Sequence, residues 1–314
     1  MSLALLFPGQ ASQEVGMGVE LRRQDEHGEA LFALVDRVTG LAVSEVCARG
    51  PIERLTATLI AQPAVMTTSL VGLSVLRDRV GAAFQPAAVA GHSVGELAAC
   101  VAAGALSEDA GLRLVKVRAE AMQRACDAVD GAMAAVLGLD EPALHRVCRE
   151  ASGEDGSVEV ANINAPGQNI ISGYVGAVER AAGLARAVGA KRVVPLKVGG
   201  PFHSAYMRSA GAAIAAALRD VEVRAPAIPL AGNVLGELLP TANDIRKELP
   251  AQVSAPVRWV ACLQQLALLG CDRFLEVGHG QVLAGLVKRT LPGAMVASFG
   301  KLADLAEALA VVRA

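Results

Sequence analysis

The sequence has little of what marks nucleic-acid-binding, disulfide-bonded or zinc-binding proteins. Its 29 basic and 31 acidic residues leave a formal charge of −2, and aromatic residues make up only 3% of the chain. A basic surface for phosphates and aromatic platforms for bases are therefore not predicted, and we expect no nucleic-acid partner. The six cysteines are scattered without a C-x-x-C pair. This spacing indicates reduced, buried thiols, no zinc or other metal site, and a cytoplasmic protein.

A targeting segment and a membrane span are also not predicted. The chain starts directly with an apolar, strand-like run, Leu3–Phe7, without a basic region before it, so we expect no signal peptide. The uncharged stretch between Arg54 and Arg77 is long enough to cross a bilayer. However, it contains Gln62-Pro63 and several hydroxyl side chains, which favours a buried helix with Pro63 in its first turn. We therefore expect no membrane association.

Short apolar runs alternate with helical patterns at both ends of the chain. This alternation predicts an α/β fold in which a parallel sheet carries helices on both faces. The expected strands are Leu3–Phe7, Ala87–Ala90, Ile228–Ala231, Arg273–Val277 and Ala294–Ser298. The expected helices lie near Met17–Val38, near Pro63–Val80 and from Val94 onward.

The middle of the chain has a different pattern. In order, the predicted elements are a strand (Ala132–Leu137), a helix (Pro142–Ala151), two strands (Val158–Ile163 and Asn169–Ser172), a helix (Val178–Val188) and a strand (Arg192–Val198). The order β-α-β-β-α-β is that of the ferredoxin-like unit. We therefore predict a small ferredoxin-like domain, residues 128–198, inserted into a large α/β catalytic domain formed by residues 1–127 and 199–314.

One pentapeptide points to chemistry. Residues 91–95 read Gly-His-Ser-Val-Gly, directly after the apolar run Ala87–Ala90. A strand that enters a G-x-S-x-G turn holds its serine in a strained backbone with the hydroxyl exposed, and the glycines prevent clashes across the turn. Ser93 is therefore the candidate nucleophile for acyl transfer. An ordinary strand-to-helix turn is the alternative interpretation.

A serine nucleophile needs a base to take its proton. His203 follows Gly199-Gly200-Pro201-Phe202, where the chain returns from the small domain, and this position suits a residue that faces a cleft. A structural turn histidine is the alternative, and His279 is the reserve candidate. His92, inside the turn, is expected to point away from Ser93.

Arg118 lies in the apolar stripe of a helix that is predicted to begin after Ser107. A guanidinium in such a stripe cannot lose its charge, so it needs a carboxylate or several carbonyl groups. The functional interpretation is a fork that binds a substrate carboxylate. The alternatives are a buried pair with one of the protein's own acids and a side chain that reaches the rim.

The loop Pro8-Gly9-Gln10-Ala11-Ser12-Gln13 follows the first strand. A backbone amide in this loop and the N–H of Val94 are candidate donors to an oxyanion. A plain turn is the alternative.

Together these segments resemble the malonyl-CoA:acyl-carrier-protein transacylases and, more broadly, the acyltransferases of polyketide synthases. The matching segments are Phe7–Gln10, Gly91–Glu96, Val117-Arg118, Met122-Gln123, Asn162–Gln168, Ile171–Gly173, Pro201–Ser204, Met207, Gly232–Val234, Gln252, Pro256–Trp259 and Glu276–Gly278. One departure is visible, because the family usually has glycine where Ala11 stands.

The resemblance implies a role for each matching residue. Ser93 is the implied nucleophile and His203 its base, while Arg118 binds the malonyl carboxylate. Gln10 and Val94 supply the oxyanion-hole amides. Gln252 and Asn233 orient His203 through backbone carbonyls, and Phe202 is typical of the malonyl-selective rather than the methylmalonyl-selective type.

The implied reaction is a two-step transfer of malonyl from malonyl-CoA, through Ser93, to the phosphopantetheine thiol of acyl carrier protein. No bound cofactor is implied, since the CoA thioester is itself the substrate, and the family suggests a monomer. A thioester hydrolase and a non-catalytic carrier-docking module are the alternatives. The sequence leaves open whether the carrier serves fatty acid or polyketide synthesis. Candidate basic residues for docking an acidic carrier are Arg186, Lys191, Arg192, Lys197, Lys288 and Arg289.

Overall fold

A computed structural model describes residues 2–24 and 26–314 and contains two β-sheets. In chain order the strands are β1 (Ser2–Phe7), β2 (Ala88–Gly91), β3 (Gly131–Leu137), β4 (Val158–Ala165), β5 (Gln168–Tyr174), β6 (Arg192–Pro195), β7 (Leu230–Ala231), β8 (Cys271–Val277) and β9 (Met295–Phe299).

The α-helices connect these strands. In chain order they are α1 (Val19–Arg22), α2 (Glu26–Thr39), α3 (Val43–Arg49), α4 (Ile52–Thr56), α5 (Thr58–Val80), α6 (Gly95–Ala102), α7 (Glu108–Asp127), α8 (Glu141–Ala151), α9 (Val175–Ala187), α10 (Arg208–Ala217), α11 (Ala242–Gln252), α12 (Trp259–Leu268), α13 (Val282–Thr290) and α14 (Leu305–Arg313). Short 3-10 turns cover Gly81–Ala83, Ala205–Met207, Leu218–Asp220 and Leu302–Asp304.

The larger sheet is parallel, with strand order β7-β2-β1-β8-β9. β1, β2 and β7 are almost entirely apolar, as expected where helices cover both faces of a sheet, whereas β8 also carries Asp272, Arg273 and Glu276. Buried side chains of α2, α5 and α7 pack on one face, and α12 and α13 cover the other around Trp259 and Phe274. The carboxyl ends of β1 and β2 lie side by side in this sheet, so the loops that follow them meet.

The smaller sheet is antiparallel, with order β4-β5-β3-β6. Helices α8 and α9 pack on it and share a separate apolar core with it. The order β-α-β-β-α-β is therefore confirmed, and so is the α/β class with a parallel sheet and a separate antiparallel sheet. The domain boundaries at 128 and 198 stay a prediction.

Several details differ from the sequence prediction. Two expected strands are shorter, since β6 ends at Pro195 and β7 begins at Leu230. The single helix expected near Met17–Val38 is two helices, α1 and α2. Helix α5 begins at Thr58, so Pro63 lies inside the helix rather than in its first turn. The region Thr58–Ala83 is long and apolar enough to span a membrane, but 89% of its most apolar window is buried inside the protein. It is a core helix, because the residues around it are the buried faces of α2, α6 and α7.

Gly111 of α7 lies where side chains of α5 and α6 leave no room for a further methyl group. A methyl group there would lie 2.6 Å from Met66 Cε and 2.8 Å from Val101 Cγ2. We predict that Gly111→Ala lowers the free energy of unfolding by about 1–2 kcal/mol, because overpacking outweighs the gain in helix propensity. The matched control is Gly183→Ala in α9, where nothing lies within 4 Å. That variant should gain up to about 1 kcal/mol. Denaturant unfolding of both variants checks this, and equal changes would contradict it.

Candidate active site

Ser93 occupies the turn between β2 and α6, and the predicted elbow is present. Its backbone is left-handed, with φ of 54°, which is a strained conformation for a residue with a side chain. A methyl group on Gly91 would lie 2.0 Å from the carbonyl oxygen of Gly95, and one on Gly95 would lie 2.1 Å from that of Phe7. Both glycines are therefore required for the turn to approach itself and β1.

The structure brings His203 to Ser93. Ser93 Oγ lies 2.7 Å from His203 Nε2, and His203 Nδ1 lies 2.9 Å from the main-chain oxygen of Gln252. A carbonyl oxygen can only accept, so Nδ1 carries the proton and Nε2 accepts from the serine hydroxyl. Burial, reinforced by the charge of Arg118, lowers the pKa of His203 to about 3. The imidazole is therefore a neutral base at neutral pH.

Arg118 points from the middle of α7 to the same place and is only 3% exposed. Its Nη1 donates to Gln62 Oε1 at 2.7 Å, and its Nη2 donates to Ser93 Oγ and to Gln252 Oε1, each at 3.0 Å. These are neutral oxygens, and within residues 2–24 and 26–314 the guanidinium makes no ion pair. Burial lowers its pKa to about 10, so it keeps its charge. The alternative interpretation, in which Arg118 pairs directly with one of the protein's own acids, therefore does not hold among the described residues.

The loop after β1 lies against the elbow. A methyl group on Gly9 would be 2.9 Å from the carbonyl oxygen of His92, so glycine permits this contact. In the described part of the chain, the backbone N–H groups of Gln10 and Val94 have no acceptor, although Val94 is fully buried. Buried N–H groups without a partner are rare, and they suit a site that receives an oxyanion.

Ala11 adopts a left-handed conformation with φ of 79°. Glycine adopts this conformation freely, whereas alanine does so at a cost of about 1 kcal/mol. Alanine in place of the family's usual glycine at position 11 therefore leaves the loop in the conformation that glycine would adopt. The Ala11 N–H donates to Gln13 Oε1 at 2.8 Å, which fixes the loop after Gln10.

Asn233 does not orient His203, so that prediction is wrong. Its main-chain carbonyl accepts from the N–H of Arg258, and within the described residues it makes no hydrogen bond to His203. Its side chain instead accepts from the N–H of Ser93 and donates to the carbonyl oxygen of Gly91, both at 2.8 Å. Asn233 thus fixes the backbone of the elbow, while the carbonyl that holds His203 belongs to Gln252.

The other histidines lie elsewhere. His279, the reserve candidate, is 3.1 Å from Glu14, and His27 and His145 pair with Glu108 and Glu141. His92 Nε2 lies 2.8 Å from Asn164 Oδ1, and its ring meets Trp259 edge-on. These contacts hold the His92 ring away from the Ser93–His203 pair, as expected.

A cavity of about 160 Å³ opens onto Ser93 and His203. Its lining is mainly apolar: Met133 and Ile170 come from the smaller sheet, Met122 comes from α7, and Leu196 and Phe202 come from the segment after β6. Gln10 and Lys197 also line it, and Phe202 is next to His203. The cavity is therefore bounded by the small sheet on one side and the elbow on the other.

Sequence reasoning gave no role to three buried residues of this site. Gln62 connects Arg118 to Gln10, since its Nε2 lies 3.2 Å from Gln10 Oε1. Glu96 and Glu248 lie behind Gln252. A polar residue in the uncharged stretch before Arg77 was a usable signal for Gln62. The sequence contains no comparable signal for Glu248, because the burial of this residue depends on how α11 packs.

A neutral Ser–His pair at a strand–helix elbow, amides without acceptors and a fixed cation beside the hydroxyl together describe an α/β enzyme that carries an acyl group on serine. Comparison with known proteins agrees with this class. The model of the acyl transferase domain family matches residues 4–303. The chain belongs to that family and is an acyltransferase.

Similar proteins cover nearly the whole chain. The malonyl CoA-acyl carrier protein transacylase of Bacillus subtilis (strain 168) is 40% identical over 91% of this chain and 90% of that protein. Two solved structures cover 99% of this chain. The acyl-carrier-protein S-malonyltransferase of Burkholderia pseudomallei 1710b is 39% identical, with a TM-score of 0.92 and 100% of its own chain covered. A malonyl-transacylase in complex with its type II polyketide-synthase acyl-carrier protein is 36% identical, with a TM-score of 0.93 and 99% coverage.

The lowered pKa of His203 predicts an unusual pH profile. With a pKa of about 3, the base stays neutral down to pH 5, so the reaction of Ser93 with a fluorophosphonate should change by less than about twofold between pH 5 and 8. An ordinary histidine would lose roughly 30-fold over this range. Intact mass, with Ser93→Ala as the blank and circular dichroism as the check on folding, gives the rates. A half-maximal rate near pH 6.5 would contradict the prediction.

Proposed function

We propose that this acyltransferase transfers the malonyl group of malonyl-CoA to the phosphopantetheine thiol of acyl carrier protein through a malonyl ester of Ser93. The observation that carries the proposal is Arg118, a buried cation that contacts Ser93 Oγ at 3.0 Å and has only neutral partners. An acyl chain that ends in a carboxylate supplies the anion that this guanidinium lacks.

In the first half-reaction Ser93 Oγ attacks the thioester carbonyl, and His203 Nε2 takes the hydroxyl proton. The N–H groups of Gln10 and Val94 stabilise the tetrahedral oxyanion, a contribution of about 3 kcal/mol for each donor. The C–S bond then breaks, His203 returns the proton to the CoA sulfur, and malonyl remains on Ser93 as an ester.

The second half-reaction runs through the same groups in reverse. The carrier thiol gives its proton to His203 as its sulfur attacks the ester carbonyl, and the oxyanion again lies between the two amides. The C–O bond to Ser93 breaks, and the proton returns to the serine oxygen. In each half-reaction His203 takes one proton and returns it. The proposed reaction therefore needs no bound cofactor or metal.

Two residues are proposed to select the acyl group. Arg118 favours malonyl over acetyl, because acetyl leaves the buried charge unpaired. Phe202 lies beside His203 on the cavity wall, and its ring limits the room for a branch at the malonyl α-carbon. Malonyl is therefore preferred over methylmalonyl.

We further propose a cytoplasmic monomer that docks an acidic carrier through local basic residues. All six cysteines are free and buried, which suits a reducing compartment. Among the basic candidates, exposed Lys197 lines the cavity itself, and Arg289 contacts Gln168 at the hairpin between β4 and β5. Lys197 therefore lies at the opening through which a carrier would reach Ser93.

Removing the guanidinium tests the role of Arg118. We predict that Arg118→Ala lowers kcat/KM for malonyl-CoA by about 100-fold or more while acetyl loading falls less, because a charge-assisted contact with the substrate is lost. Intact mass of the acyl-enzyme with each CoA ester measures the ratio. A variant that still prefers malonyl to the wild-type extent would contradict the assignment.

Product analysis separates the transferase from the two alternatives. With malonyl-CoA and a carrier we expect the malonyl group on the carrier thiol, and without carrier a stable Ser93 adduct that Ser93→Ala lacks. Free malonate as the main product with carrier present would indicate a thioester hydrolase. The absence of any adduct would indicate a docking module.

Charge reversal tests the docking surface. Lys197→Glu should slow transfer to the carrier about tenfold at low salt, and the difference should shrink as salt screens the surface. Lys247→Glu, an exposed lysine on α11 away from the cavity, is the matched control and should transfer normally. Equal rates for both variants at all salt concentrations would contradict a role for Lys197.

A further inference from the structure

Two glutamates lie buried behind the Ser93 elbow. Glu96, in the first turn of α6, is fully buried, and Glu248 of α11 is 7% exposed. Glu96 Oε2 accepts from Gln252 Nε2 at 2.5 Å, and Glu248 Oε1 accepts from the N–H of Val234 at 2.7 Å. Within the described residues Glu96 Oε1 receives no N–H or O–H donor. The neighbouring acid is Glu248, which lies one helical turn before Gln252 on α11 and whose charge acts on Glu96.

A fully buried carboxylate is unfavourable in its ionised form when one oxygen lacks a donor and a second acid lies beside it, so the surroundings favour a proton on this pair. Its position follows from Arg118. A guanidinium only donates, so Gln252 must present its Oε1 to Arg118 and therefore its Nε2 to Glu96. Glu96 Oε2 is then an acceptor, which leaves Oε1, the oxygen without a donor, as the position for the proton.

We propose that Glu96 and Glu248 share one proton, carried by Glu96, and that this acid pair is the positioning device for Gln252 and, through it, for both His203 and Arg118. Gln252 is the residue where the two functions meet, since its main-chain oxygen holds His203 Nδ1 and its side-chain oxygen holds Arg118. The catalytic consequence rests on the function proposed above, whereas the shared proton does not.

The surroundings favour the protonated state. Burial raises the pKa of Glu96 well above its usual value, and Glu248 raises it further. The titratable groups that face the pair are Arg118 from α7, Cys100 from α6 and Cys262 from α12. Burial raises the pKa of both thiols, so they stay neutral. Arg118 is the cation that acts on Glu96.

The arrangement compensates Arg118 without blocking it. The pair carries one negative charge, on Glu248, and this charge is separated from the guanidinium by Glu96 and Gln252. It lowers the free-energy cost of burying the arginine. A carboxylate in direct contact would instead occupy the donors that a substrate carboxylate needs.

Infrared difference spectra test the shared proton directly. At pH 9 we expect the wild-type enzyme to show the carbonyl band of a protonated carboxylic acid, and Glu96→Gln to lack it. Glu276 is a second fully buried glutamate, with a pKa of about 7, so it is ionised at pH 9 and Glu276→Gln keeps the band. Absence of the band in the wild-type enzyme at pH 9 overturns the proposal, whatever the substrate proves to be.

Kinetics test the positioning role. The amide of Glu96→Gln offers one acceptor and one donor, as the protonated acid does, so its kcat and KM should stay within about threefold of wild type. Glu96→Leu removes the donor and the acceptor. We expect kcat to fall and KM for malonyl-CoA to rise, each about tenfold, because Gln252 then no longer positions His203 and Arg118. The control is Glu276→Leu, which should be less stable than the wild-type enzyme but have the same kcat and the same KM for malonyl-CoA.

If Glu96→Leu does not fold, Glu96→Asp takes its place, since its shorter side chain cannot reach both partners, with Glu276→Asp as its control. Wild-type kcat and KM in the folded variant overturn the positioning role, as does equal damage in Glu96→Gln. Failure of the wild-type enzyme to load malonyl would instead overturn the proposed function and leave the infrared result standing.

Discussion

The buried charge of Arg118 is the constraint on which the site depends. A guanidinium that is 3% exposed keeps its charge, so everything around it must supply acceptors. Gln62 of α5, Ser93 of the elbow and Gln252 of α11 do so with neutral oxygens. Each of these residues also serves a second group, which ties the nucleophile, the base and the oxyanion loop to one cation.

The parallel sheet makes this convergence possible. Because β1 and β2 are neighbours and run in the same direction, the loop with Gln10 and the elbow with Ser93 emerge side by side. Glycines at 9, 91 and 95 let these backbones approach more closely than any side chain would allow. The small sheet then closes the cavity with apolar side chains, which lowers the local dielectric around Ser93 and strengthens its electrostatic contacts.

The sequence predicted those features that depend on interactions between residues close together in the chain. Periodicity predicted both sheets, and the G-x-S-x-G turn predicted Ser93, because strain at an elbow is a property of five residues. Arg118 was recognisable as a charge in an apolar stripe. The roles of Gln62, Asn233 and Glu248 were not recognisable in this way, because each depends on a partner far along the chain. Asn233 shows the limit most clearly, since it does lie at the site but serves the backbone of Ser93 and not His203.

The most direct test of charge recognition by Arg118 uses the wild-type enzyme and two substrates of equal size. Malonyl-CoA and its neutral carboxamide analogue differ only in whether the acyl chain ends in a carboxylate or an amide. We predict that kcat/KM for Ser93 acylation favours malonyl-CoA by about 100-fold or more, since only the carboxylate pairs with the buried charge. Equal rates with the two substrates would contradict it.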